Sequence, residues 1–326
     1  MALWEPGAAN AQADHRYPPD IIGLGMATLD VLLRLEEMPT WEYGGRLQGF
    51  GLDGGGPVAT ACAAAARLGA RVCYVGTCGN DLPAELKMHF LERCGVDTSH
   101  TVVRDEPEDM IIAVLVHAST GERVFAGLLR DHKPLQPEEL DREFITSAQF
   151  LHLDGWHREA ALAAARWMHD AGKQVCYDGA RTGAGTIRPH ARDFLAVTDI
   201  LICGSGFGQA ATGRSDLWEA GRALLDMGPR IVVQTEGADG SYTTTEEEQF
   251  HTPAFRVDVV DTTGAGDVFH GAYLVGLQRG WDLRTVALFA TAVSALKCRQ
   301  LGGRAGIPTF EETVGFLAER GYRLPM

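Results

Sequence analysis

Apolar runs of four or five residues recur along the chain, separated by longer stretches in which apolar positions return every three or four residues. The runs at Ile21–Gly25, Val72–Val75, Phe150–Leu153, Gln174–Tyr177, Asp199–Cys203 and Arg230–Gln234 predict buried strands. Between them, 57–68, 82–94, 158–171, 189–196 and 215–227 carry the helical period. This alternation predicts an α/β fold: a mostly parallel central sheet flanked by helices on both faces. From Gly264 to Leu317 the pattern turns almost wholly helical, with Val268, Phe269, Ala272, Tyr273 and Leu277 at helical spacing.

Two regions break the rhythm. Val31–Leu52 and Met110–Leu129 alternate polar and apolar residues, as in Arg46-Leu47-Gln48-Gly49-Phe50. They predict antiparallel strands with one wet face, packed as a small sheet outside the main core. No internal repeat or low-complexity linker interrupts the chain. The expected organisation is a flexible leader over 1–19 and a single domain over 20–326, with lid strands from about 31–53 and 110–130.

Charge narrows the partners. Lys and Arg number 29 against 43 Asp and Glu, a net charge of −14. A chain this acidic has no general attraction for phosphate polymers or anionic lipid, so neither nucleic acid nor a membrane surface is expected. Seven cysteines, an odd number with no CxxC pair, predict a reducing, cytoplasmic setting. Met1 to Asp20 lacks the basic start and apolar run of a secretory signal. No stretch reaches the ~18 apolar residues of a membrane helix.

The chemistry concentrates in Val257–Gly271, VDVVDTTGAGDVFHG. A strand-like lead ends at Asp261, and Gly264-Ala265-Gly266-Asp267 opens directly into an amphipathic helix. Helix N-terminal amides lack intrahelical partners and sit at the positive end of the dipole, so small residues there make an anion site. A carboxylate beside a bound anion is repelled by it. Asp267 is therefore either a plain helix cap after a glycine turn, or a base that takes a proton from a nucleophile. Elsewhere, Gly54–Gly56 reads as a turn with Pro57 at the first position of an Ala-rich helix. His152 and His157 lack a ligand-spaced partner, so no metal role is assigned to them. His270 either lines the pocket or packs.

DTTGAGD followed by Phe and a small-residue helix resembles the signature of the ribokinase-like (PfkB-type) carbohydrate kinases. The resemblance runs from about Asp20 to the C-terminus. Gly25–Asp30 resembles the opening strand that ends on a substrate-binding Asp, and Gly55-Gly56-Pro57-Val58-Ala59-Thr60 the glycine pair and helix that approach the sugar. Gly76…Gly79-Asn80-Asp81 and Gly95-Val96-Asp97-Thr98 match further landmarks. The resemblance implies a ribokinase-like sandwich with a small β-strand lid, acting as an ATP-dependent sugar kinase. Asp267 would be the general base, and the Gly264, Ala265 and Gly266 amides the anion hole for the transferred phosphoryl group. Asp30, the Gly55-Gly56 backbone and Thr60 would bind the sugar. Thr235, Gly237, Gly240, Thr263, Gly264 and Gly266 would contact ATP.

The family usually carries Asn-x-x-Glu to order Mg2+; Gly204-Ser205-Gly206-Phe207 stands there instead. Mg2+ is still expected with ATP. Asp261 and Thr263 match positions that hold a monovalent cation in some members, with K+ the candidate ion. Relatives often pair through their lids, so a homodimer is expected. No GxxxxGK[ST] is present, which excludes a P-loop kinase. Gly204–Gly208 lacks the full GxGxxG spacing of a dinucleotide fold.

GGGPVAT at Gly54–Thr60, Ala295–Cys298 and Gly302–Pro308 bring the chain closest to the sulfofructose-kinase-like branch. Yet Gly44, Gly127 and Gly155 fall where that branch would hold a sulfonate with Lys, Asn and Arg, and glycine supplies no charge-assisted donor. Arg46, Arg123, Arg130 and His157 are neighbours that could substitute. Two further readings stay open: a non-catalytic sugar or nucleotide sensor on the kinase scaffold, and a nucleoside kinase of the same fold.

Overall fold

A computed structural model describes residues 17–129, 132–182 and 185–325. Most of the expected leader, and Arg130, lie outside them. Ile21–Leu24 (β1) runs into Thr28–Leu35 (β2) and Leu47–Gly55 (β3). Pro57–Arg67 (α1) returns to Val72–Val75 (β4), Thr77–Cys78 (β5) and Leu82–Glu92 (α2). Val102–Val103 (β6) pairs with β5, and the hairpin Met110–His117 (β7) and Arg123–Leu129 (β8) follows. Then come Arg142–Ser147 (α3), Phe150–Leu153 (β9), Arg158–Asp170 (α4), Gln174–Gly179 (β10), Ala191–Leu195 (α5) and Ile200–Gly204 (β11). Phe207–Thr212 (α6), Leu217–Leu225 (α7) and Ile231–Thr235 (β12) lead to a hairpin, Ser241–Thr244 (β13) and Gln249–Thr252 (β14). Three helices close the chain: Ala265–Gln278 (α8), Leu283–Lys297 (α9) and Phe310–Ala318 (α10).

The main sheet has the order β14-β13-β12-β11-β10-β9-β1-β4. Its six predicted strands pair in parallel, and β13 and β14 add an antiparallel edge that the sequence pattern did not reveal. Alternate residues serve opposite layers, as a period of two demands. Ile21, Tyr74, Phe150, Cys176 and Ile202 pack with α1, α8 and α9, while Ile22, Val75, Leu151, Tyr177 and Leu201 pack with α4 and α5. A parallel sheet covered on both faces needs apolar residues at nearly every position, and the continuous short runs record this. The seven cysteines form no disulfide, and no helix among the described residues is long and apolar enough to cross a membrane.

The second sheet, β3-β2-β7-β8, corrects the sequence reading twice. Its two hairpins are antiparallel as expected, but β2 and β7 pair in parallel at its centre, Leu29 opposite Ile111. Its outer face meets solvent but is apolar rather than polar. The register puts Asp30, Leu32, Val114, Arg123 and Phe125 on the face toward the main domain, and Val31, Leu33, Phe50, Leu52, Leu115, Val124 and Leu128 on the other. That outer face is apolar yet uncovered: Phe50 is 66% and Val124 55% exposed. At the sheet's root, buried Lys87 on α2 pairs with buried Glu108 at 2.6 Å and donates to the Thr77 carbonyl. Glu108 also accepts from the Gly79 and Met110 amides, so both of its oxygens are satisfied and the charge pair anchors the start of β7.

Candidate functional site

The site forms where the C-terminal ends of β9, β10 and β12 meet the N-terminus of α8, under the inner face of the small sheet. Strand ends are where an open α/β sheet leaves a crevice. Gly264 caps α8 with a φ of 73°, a left-handed conformation suited to glycine, and a Cβ there would approach the Gly303 carbonyl to 2.9 Å. The Ala265 amide is already committed to the Thr262 carbonyl at 3.2 Å. The first-turn amides that follow, of Gly266 and Asp267, come before any intrahelical acceptor. A Cβ on Gly266 would stand in open space, so the missing side chain leaves room for a ligand.

Asp267 sits partly buried in that first turn. Loss of water lifts its carboxyl to about 7; Asp154 and, more weakly, Asp30 push the same way, against Arg304 and Lys297. Asp178, at the end of β10, is held well above the usual carboxylate range by burial and then by Asp267 itself. His270 lies on the next turn of α8, buried, with its Nε2 4.0 Å from Asp178 and its ring against His152. Burial keeps it neutral, and it packs behind Asp178.

On the sugar side, Asp30 accepts from the Thr28 hydroxyl at 2.6 Å, and burial raises its pKa. A side chain on Gly55 would overlap the Asp30 carboxylate, so this glycine lets β3 close against β2. Thr60 accepts from Arg304 Nε at 3.3 Å, and the same guanidinium donates to the Gly55 carbonyl at 2.7 Å. Asp154, at the end of β9, accepts from the Met26 and Trp156 amides at 2.8 and 3.0 Å. It ties the turn between β1 and β2, and so Asp30, to the main sheet. Arg304 and Asp154 carry no local signature; only the position of Asp154 at a strand end could have flagged it.

The nucleotide-side residues converge too. Thr235, Gly237, Gly240 and Gly266 line one cleft of about 710 Å³, together with Thr291. Thr263 does not line it: its amide and hydroxyl donate to Asp261 at 2.8 and 2.7 Å. Where Asn-x-x-Glu is missing, the Ser205 hydroxyl donates to Glu236 at 2.6 Å. The other Glu236 oxygen is shielded from solvent and has no hydrogen-bond partner. Asp261 gives its oxygens to protein donors, Arg123 among them at 2.7 Å, and is held at about 2. Burial alone would raise it, but the Thr263 amide and hydroxyl, the Gly302 amide and Lys297 outweigh that. Among the sulfonate-reading neighbours, Arg123 is thus occupied, His157 accepts from the Leu135 amide, and Arg46 is exposed.

A family model described as pfkB family carbohydrate kinase matches residues 23–310. The ATP-dependent ribose-1-phosphate kinase of Halopiger xanaduensis is 29% identical, over 92% of this chain and 98% of its own. The aminoimidazole riboside kinase of Salmonella typhimurium is 31% identical over 81% and 88%. Arabidopsis thaliana ribokinase complexed with ribose and ATP shares the fold with a TM-score of 0.78, at 22% identity over 91% of this chain and 98% of that one.

The raised Asp267 carboxyl carries a stability signature. The folded state binds this proton more tightly than the unfolded chain, so the ionised form at high pH costs stability that disappears as pH falls below the ordinary carboxylate range. Asp267→Asn is expected to raise Tm, with the gain largest above pH 7 and shrinking toward pH 4 in thermal melts across that range. A gain independent of pH contradicts the assignment.

Proposed function

The chain belongs to the pfkB family of carbohydrate kinases and is an ATP-dependent kinase of sugars or nucleosides; we propose that it phosphorylates a primary hydroxyl of a sugar or sugar derivative. One observation carries the reading. Asp267, a carboxylate lifted toward neutral pH, stands between the Asp30–Gly55 side and the cleft lined by Thr235, Gly237 and Gly266. In this reading Asp267 takes the proton from the acceptor hydroxyl as that oxygen attacks the γ-phosphorus. The bond to the β–γ bridging oxygen breaks, and ADP leaves. The turn over Gly264, Ala265 and Gly266 forms the anion hole; since the Ala265 amide is engaged, the amides of Gly266 and Asp267 do most of the stabilising at the dipole's positive end. Asp30, the Gly55-Gly56 backbone and Thr60 bind the acceptor, with Thr60 held by Arg304.

Mg2+ carried with ATP would supply positive charge against the charge developing during phosphoryl transfer. Glu236, with its solvent-shielded unpartnered oxygen, and Ser205 are the residues suited to order it, a carboxylate supplied from the turn after β12 in place of the missing Asn-x-x-Glu. Glu236→Gln is expected to raise the Mg2+ concentration for half-maximal rate by about 10-fold. An unchanged Mg2+ dependence removes Glu236 from this role.

The small sheet acts as a lid that excludes water from the phosphoryl group. Its uncovered apolar outer face supports a homodimer formed lid to lid, since exposed apolar patches of this kind mark interaction sites. Sedimentation of the wild type should give a dimer mass and of Phe50→Glu a monomer mass. A monomeric wild type sinks the pairing.

ATP consumption across a panel of sugars, sugar phosphates and nucleosides tests the chemistry. Asp267→Asn should slow the best substrate by ~10²–10⁴-fold. The wild-type kcat/KM should rise with pH through about 7, as the base deprotonates. Sugar binding with no turnover in either protein favours the non-catalytic sensor, and turnover of nucleosides alone favours the nucleoside kinase.

A further inference from the structure

The turn that leads into α8 is built around Asp261, and every oxygen of that residue has a protein donor. Oδ1 accepts from the Thr263 amide and hydroxyl and from Arg123 Nη1 at 2.7 Å. Oδ2 accepts from the Gly302 amide at 2.9 Å. The main-chain oxygen accepts from Lys297 Nζ at 3.0 Å. Lys297 is the last residue of α9 and its side chain is fully buried. An ammonium there meets both the Asp261 carbonyl and the negative end of the α9 dipole. Arg123 arrives from the lid strand β8, donating also to the Thr263 and Thr262 hydroxyls. A monovalent metal ion held by Asp261 would have to displace these donors, two of them cationic, so the residues present do not fit K+.

We infer that this protein carries its own cations at the Asp261 turn. Lys297 is fixed there, Arg123 is delivered by the lid, and phosphoryl transfer needs no monovalent metal ion. Lys297 is a positioning residue: by holding the Asp261 carbonyl it sets where the 261–264 turn ends and where the α8 amides point. A tethered ammonium has no binding equilibrium, so the anion hole is preset at any potassium concentration. The buried Lys297 ammonium on the Asp261 carbonyl also supplies positive charge at this turn, which a neutral side chain could not.

The inference rests on the anion-hole reading above, and its test separates the two. Wild type is compared in KCl and in tetramethylammonium chloride at equal ionic strength, near the ~0.1 M that screens surface charge, by Tm and by kinase rate. Equal Tm and equal rate in both salts are expected. Lys297→Met opens the position to a free ion: its kcat should fall on the order of tenfold in tetramethylammonium, and KCl should raise both its Tm and its rate. A wild type whose Tm or rate rises with K+ specifically overturns the inference, whatever the variant does. So does a folded Lys297→Met as active in tetramethylammonium as wild type. The Tm comparison needs no turnover, so it stands even if Asp267→Asn were to show that the catalytic reading is wrong.

Discussion

The site depends on one electrostatic constraint: carboxylates crowd a helix N-terminus that, in the proposed function, also receives a triphosphate. Asp30, Asp154, Asp178 and Asp267 gather at the strand ends, and all four are pushed above the ordinary range first by burial. Left alone they would stay protonated, and ionised they would repel a phosphate. Lys297 and Arg304 stand against this, pulling Asp267 back to a value where it still loses its proton near neutrality. Asp267, the proposed base, is thus kept at the edge of ionisation by opposing environments, and a net charge of −14 need not hinder ATP when the anion meets backbone amides.

The long-range contacts explain what the sequence could and could not disclose. Buried parallel strands betray themselves as short apolar runs, and Val257–Gly271 announces its chemistry because the glycines, the helix start and Asp267 are contiguous. β13 and β14 read Ser-Tyr-Thr-Thr and Gln-Phe-His-Thr, with no such apolar run, so they escaped notice. The parallel pairing of β2 with β7 has no periodic signature at all. Arg304 and Thr60 are 244 positions apart, and Asp154 and Met26 are 128 apart. Residues of this kind acquire a role only when the chain has folded, and a single sequence does not show which distant partners will meet.

The acceptor side bears on specificity. Gly44 is exposed with open space around it, while a side chain on Gly155 would come within 3.5 Å of Arg188. Arg188 donates to the Asp154 carbonyl at 3.2 Å and lies over the Trp156 ring. Positive charge near Gly155 therefore enters from a different loop than the resemblance to sulfofructose kinases would suggest. A simple transfer of that branch's sulfonate contacts fails on residue type.

The parallel register between β2 and β7 also constrains how the molecule is made. Leu29 and Ile111 are neighbours in the small sheet but 82 residues apart along the chain, with α1, β4 and α2 between them. This sheet cannot assemble as a local hairpin and then dock. Its centre closes only after the first strand–helix–strand unit has brought β2 back beside the β7 segment, so its loop-closure entropy is borne by the main domain. The centre of the small sheet thus forms later than its own hairpins, and the same sheet carries exposed apolar side chains. While it waits, the exposed β2–β3 hairpin is the part of the chain most open to pairing with the wrong partner.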